Sequence, residues 1–238
     1  MTNNKWKLST DDTAIEILAE DNKLFISALV SGGMNWAKKP VQINLPTNFI
    51  LADMKMVARW QYVSGSQYND GEADTVQVLF REKQTNLALR SVWTAYPGPG
   101  AVTHQIFIDN ITGKEIRIFA PQSLDVLFEV PIGTHVFYVH KDRAAAEIIS
   151  YVRSGYGTYY EQLHDRYYRD IWTKPDDDDT GFIPLVMLHT PNQDGIYIGY
   201  VFNHGRISVS GIQSDKLNAE IRAGLYDDFC TTVYADEV

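Results

Sequence analysis

Short runs in which apolar and polar residues alternate with a period of two cover most of this chain, and turn-forming residues separate them. That pattern predicts strands with one buried face. Ala14-Ile15-Glu16-Ile17-Leu18 and Lys23-Leu24-Phe25-Ile26-Ser27-Ala28-Leu29 flank Glu20-Asp21-Asn22 and predict a hairpin. From Phe49 to Gln61 the pattern predicts a long strand or two, with Met54, Met56, Ala58 and Trp60 on one face. Asp74 to Glu82 alternates Val76, Val78 and Phe80 against Thr75, Gln77 and Leu79, and Leu87 to Tyr96 continues the meander. Pro97-Gly98-Pro99-Gly100 forces a turn before Val102 to Asp109. Asn110-Ile111-Thr112-Gly113-Lys114 makes another before Glu115 to Phe119.

From Lys141 to Thr180 the alternation breaks. Arg143 to Ile149 suits a turn or two of helix, Tyr156 to Tyr168 is rich in tyrosine, and Asp176 to Asp179 is a run of acids. The stretch 141–180 is therefore expected to be a surface insertion. Strands resume at Phe182 to His189, Gly195 to Val201, Arg206 to Ser210, Leu217 to Ala223 and Phe229 to Ala235. About fourteen strands with little helix exceed what one open twisted sheet holds, so the expected fold is all-β, with two large antiparallel sheets stacked face to face. No polar linker divides the chain, so 1–238 is expected to be a single domain.

Composition adds exclusions. The 238 residues are 45% hydrophobic and 21% charged, which is globular. The net charge of −9 opposes a nucleic-acid surface, which needs clustered Lys and Arg. One cysteine, Cys230, allows no internal disulfide. No apolar run approaches the ~20 residues of a membrane span. No basic-then-apolar leader opens the sequence, so a cytoplasmic location is expected if Met1 is the natural start. Neither nucleic acid nor membrane is expected as a partner.

The candidate chemistry is sparse. None of the six histidines (His104, His135, His140, His164, His189 and His204) lies at i, i+2 or i, i+4 from another, so only convergence in space could assemble a site from them. There is no Gly-x-Ser-x-Gly elbow and no Gly-Lys-Ser/Thr phosphate loop. Calcium loops space their carboxylates, whereas Asp176 to Asp179 are consecutive and read as a solvated run. Asn110-Ile111-Thr112 matches a glycosylation sequon but reads as a turn. No metal, no cofactor and no catalytic residue is expected. Sugars pair apolar C–H faces with polar edges, so aromatic platforms beside polar groups are the informative signal. Trp36, in the Gly33-Met34-Asn35-Trp36-Ala37 loop before Lys38 and Lys39, and Trp172, beside the acidic run, are the candidate substrate-binding residues. Trp60 and Trp93, inside alternating strands, read as core.

The order of several segments resembles the N-terminal β-supersandwich of family 36 glycoside hydrolases, the α-galactosidases or melibiases. The segments are Ala95-Tyr96-Pro97-Gly98-Pro99-Gly100-Ala101-Val102 through Phe107 to Lys114; Ser123-Leu124-Asp125; Ile183 to Leu188; Gly195 to Tyr200 with Gly205-Arg206-Ile207; and Ile221 to Leu225 with the terminal Ala235 to Val238. The resemblance spans roughly residues 12 to 238 and implies a galactose-mutarotase-like supersandwich. It also implies that the paired carboxylates of a retaining glycosidase lie on a barrel downstream of these residues. Implied partners are a carbohydrate such as an α-galactoside, the chain's own downstream barrel, and further copies in a homo-oligomer of the full-length protein. The resemblance further implies that the Trp36 loop approaches the sugar-site rim.

Two rival readings stand beside it. One is a free-standing mutarotase-like or carbohydrate-binding β-sandwich, in which His104, His189 or His204 pairs with Glu129 or Asp125 as base and acid. The other is a purely structural interaction module.

Overall fold

The computed structural model describes residues 4–142, 155–172, 181–192, 194–201, 205–225 and 229–235. These residues form 21 strands and no helix. The fold is all-β and the sheets are antiparallel, as the alternation predicts. Pairing divides the strands into five sheets of four or five strands each, where two large sheets were expected. Contacts separate the chain into two compact units, Met1–Leu124 with Asp227–Val238, and Asp125–Tyr226.

The first unit holds three sheets. One runs β1 (Lys5–Ser9), β2 (Thr13–Glu20), β3 (Lys23–Ser31) and β4 (Met34–Asn35), with β5 (Val41–Ile43) also on β3. Another is β11 (Val102–Asp109), β10 (Ala88–Ala95), β9 (Asp74–Glu82) and β8 (Trp60–Asn69). The third is β21 (Cys230–Val233), β12 (Ile116–Phe119), β6 (Asn48–Leu51) and β7 (Met54–Val57). Period-two alternation becomes burial directly. Val76, Val78 and Phe80 on β9 and Leu89, Ser91 and Trp93 on β10 are buried, with Trp93 opposite Val76 and Leu89 opposite Phe80.

Three tight hairpins turn on residue pairs in the left-handed region: Asp21-Asn22, Gly32-Gly33 and Ala52-Asp53. Two consecutive positive φ values match the right-handed twist of the strands they join. The third of these hairpins divides the segment expected as a long strand or two from Phe49 to Gln61, so that Met54 and Met56 stand on β7, opposite β6. The edge strand β8 carries Gly65 against the indole of Trp6, and a Cβ at that position would overlap the Trp6 ring. Glu82 is buried at the end of β9, where its Oε2 accepts from the backbone of Gln84 (2.8 Å) and Thr85 (2.7 Å) and from the Thr85 hydroxyl (2.9 Å). Burial alone would raise its pKa, but these donors hold it below the usual carboxylate value.

The second unit holds two sheets, β13 (Gln122–Glu129, within the unit from Asp125), β20 (Leu217–Leu225), β19 (Gly205–Gln213) and β16 (Tyr168–Trp172), and β15 (Gly155–Gln162), β14 (His135–Asp142), β17 (Gly181–His189) and β18 (Gly195–Gly199). Ile171, Ile207, Val209 and Ile221 of the former and Val136, Tyr138, Val186 and Leu188 of the latter are buried, and β17 packs on β16 and β19. Residues 155–172, expected within a surface insertion, supply two paired strands and the buried side chains Leu163, Tyr167 and Ile171. The helix expected over Arg143 to Ile149 and the Asp176 to Asp179 run lie outside the described residues. A short turn, 163–167, crosses Gly211. Arg166 N–H donates to Gly211 O (3.0 Å), Gly211 N–H donates to Tyr167 O (2.9 Å), and a Cβ on Gly211 would collide with the carbonyl of His164.

Candidate functional site

Trp36 follows the Gly32-Gly33 hairpin. Asn35 Oδ1 accepts from the backbone N–H of Leu29 (3.3 Å) and Ala37 (3.1 Å), and Trp36 N–H donates to Leu29 O (2.7 Å). These bonds fold the loop back on β3 and drive the indole inward. Trp36 is 1% exposed, and its ring N–H donates to Ser31 O at 3.2 Å. The ring is core, while Gly33 and Asn35 before it and Lys38-Lys39-Pro40 after it are exposed. Trp172 ends β16 opposite Arg206 and is half-buried. Beside it Arg206 grips Asp170 with both ends of its guanidinium (2.9 Å each) and reaches the Tyr168 hydroxyl at 2.8 Å. This strand end thus sets a tryptophan next to a fixed cation–carboxylate pair, the mixture of flat apolar surface and polar edge that a sugar takes.

Four of the five described histidines fall into three environments, and the fifth, His140 on β14, packs edge-on against Tyr159. His104 on β11 stacks on Trp93 (centroids 3.9 Å apart, planes 12°), and its Nε2 lies 2.8 Å from Ser91 Oγ, which also accepts the Trp93 ring N–H at 2.9 Å. The residue is half-buried, but its Nδ1 is sealed from water without a hydrogen-bond partner. Burial pushes its pKa down to about 3, so this imidazole is neutral. Ser91 is fully buried. The Ser91–His104 pair therefore has the atoms of a nucleophile and base without access to a substrate. His164 sits on the 163–167 turn, with Nδ1 2.7 Å from Asp165 O.

The third environment is a convergence that sequence spacing does not show. His135 and His189 face each other across β14 and β17. Tyr160 lies flat on His135 (4.4 Å, 4°), and its hydroxyl is 2.6 Å from His189 Nδ1. The acids considered as partners for a catalytic histidine are engaged elsewhere: Glu129 with Lys216 at 2.6 Å, and Asp125 near Arg222 at 3.7 Å. Asn203 and His204 lie outside the described residues. Among the described residues no three of His, Cys, Asp and Glu come together as a metal centre.

A second polar cluster bridges the two sheets of the second unit. Arg169 holds Glu161 through both nitrogens (2.9 Å each) and bonds the Tyr138 hydroxyl at 3.0 Å, while the Tyr167 hydroxyl donates to Glu161 at 3.0 Å. Arg169 first of all keeps Glu161 below the usual carboxylate value, and burial together with Glu161 pushes the Tyr167 phenol up. Each charge here has its counterpart, so the cluster reads as sheet-to-sheet cement. The Asn110 sequon is likewise structural: the side chain is 0% exposed and its amide is spent on three carbonyls.

No protein-family model and no curated sequence matches the chain. Solved structures do. The GH36 α-galactosidase AgaA of Geobacillus stearothermophilus, as a variant in complex with 1-deoxygalactonojirimycin, matches 98% of this chain with a TM-score of 0.75 at 11% identity. AgaB from the same organism matches 99% of the chain with a TM-score of 0.69 at 11% identity, and covers 40% of its own length. The galactosidase domain of the α-galactosidase–sucrose kinase AgaSK matches 99% with a TM-score of 0.68 at 11% identity. The chain spans 39% of the AgaA and AgaSK chains. AgaA has also been crystallised with raffinose and with stachyose. The fold of this chain is that of one region of these enzymes.

Proposed function

We propose that these residues form the non-catalytic N-terminal domain of an α-galactosidase-like glycoside hydrolase of carbohydrate metabolism. The observation that carries this reading is the fold shared over nearly the whole chain with one region of GH36 α-galactosidases. It agrees with the ordered motifs from Tyr96-Pro97-Gly98-Pro99-Gly100 to Gly205-Arg206-Ile207. In this reading 1–238 acts as one domain that supports a catalytic barrel and the contacts of a homo-oligomer. The bond-breaking carboxylates belong to the barrel. Trp172, with Arg206 and Asp170, lends an aromatic edge to the sugar-site rim. Trp36 serves that rim from beneath, as the anchor that fixes the Lys38-Lys39 loop. The test is the coding sequence beyond Val238. Alternating strands and helices of a barrel are expected there, and a continuation of any other pattern would overturn the proposal.

A further inference from the structure

His135 and His189 are far apart in sequence and directly opposite in the sheet. Side chains of such a pair leave the same face with Cβ atoms roughly 4.5–5.5 Å apart. That face is the outer one, because the alternate positions Val136, Tyr138, Val186 and Leu188 are buried. Both imidazoles are half-buried and reach solvent. Tyr160 crosses from β15 on the same face, flattens against the His135 ring and meets His189 Nδ1 with its hydroxyl. That bond engages one nitrogen of His189 and leaves Nε2. No hydrogen bond engages either ring nitrogen of His135 among the described residues.

We propose that His135 and His189 form a two-imidazole site for a borderline divalent cation of the zinc, nickel or copper(II) class, with Tyr160 as its positioning residue. Neutral imidazole suits these cations. A ligating histidine ordinarily has its second nitrogen held by a hydrogen-bond partner that fixes tautomer and ring orientation, and Tyr160 does this for His189. Stacking on the same phenol restrains His135. Two protein donors leave the other coordination positions to water, so the cation exchanges with solvent. Calcium is not the match, because it takes six to eight oxygen ligands.

Nickel chloride added to the tag-free chain tests this. Paramagnetic Ni2+ is expected to broaden the ring resonances of His135 and His189 before those of the other four histidines, with a one-site calorimetric isotherm. His135→Ala and His189→Ala are each expected to weaken binding at least about tenfold, and Tyr160→Phe by up to about that factor. The double His135→Ala, His189→Ala variant should show no such site. Absence of saturable binding, broadening that begins at another histidine, or an isotherm unchanged in the double variant overturns the proposal. Adsorption of the ion on Asp176 to Asp179 gives that last result. The resonance measurement uses the unsubstituted chain, so it decides the matter even where a variant fails to fold.

Discussion

The side-chain nitrogen of Asn110 lies 2.8 Å from the carbonyl oxygen of Val233, joining the turn after β11 to the last strand of the chain. The same nitrogen donates to Lys114 O (2.7 Å) and Tyr234 O (2.9 Å), and Oδ1 accepts from the Thr112 N–H (3.2 Å) and hydroxyl (2.7 Å). Asn110→Ala strips three carbonyls of this donor. At about 1 kcal/mol net for each hydrogen bond, a loss of about 2–3 kcal/mol is expected in urea unfolding. An unchanged midpoint would show that water replaces the amide at no cost.

Gly211→Ala places a methyl group into the backbone carbonyl of His164, and a backbone cannot rotate away as a side chain can. The 163–167 turn must lift, losing the two backbone bonds that Arg166 and Tyr167 make with Gly211. Destabilisation above about 3 kcal/mol is expected, within the range of severe core substitutions. Wild-type thermal stability in this variant would show that the turn is not held against β19.

His104 makes stability depend on pH in one direction. Its folded-state pKa, about 3, lies below the unfolded value of 6.5 because burial disfavours the charged ring. Stability from this group is complete above 6.5 and falls as the pH drops from there toward 3, by up to ~1.4 kcal/mol per pH unit. Glu82 and Glu161, held below 4.5, add their loss only at lower pH. His104→Phe should flatten the unfolding free energy between about pH 6.5 and about pH 4.5. A slope identical in wild type and variant would assign the acid sensitivity to other groups.

The two candidate tryptophans are expected to separate in stability. Trp36→Ala removes a fully buried ring and should cost about 3–5 kcal/mol. Trp172→Ala removes a half-buried ring and should cost below about 2 kcal/mol. Equal losses by chemical denaturation would contradict the division into anchor and edge.

How far the fold could be read depended on how completely each strand buries one face. Asp74 to Glu82 and Val102 to Asp109 are strands with the expected bounds, because large apolar residues alternate there with polar ones. β8 was legible only at its start. Most of its residues are exposed polar groups, and Gly65 is dictated by Trp6, a residue distant in sequence. The β6–β7 turn was hidden because Ala52, in the left-handed region, carries no turn signature. The Gly33 to Ala37 loop suggested an exposed indole, and only the Asn35 bonds reveal why Trp36 points inward. The His135–Tyr160–His189 convergence depends on strand pairing, which local spacing cannot encode.

The most direct test of the functional account is hydrolysis of an aryl α-galactoside, measured for the full gene product and for residues 1–238 alone. Turnover by the full product and none by the isolated chain is expected. Turnover by the isolated chain that a single substitution within 1–238 abolishes would contradict it.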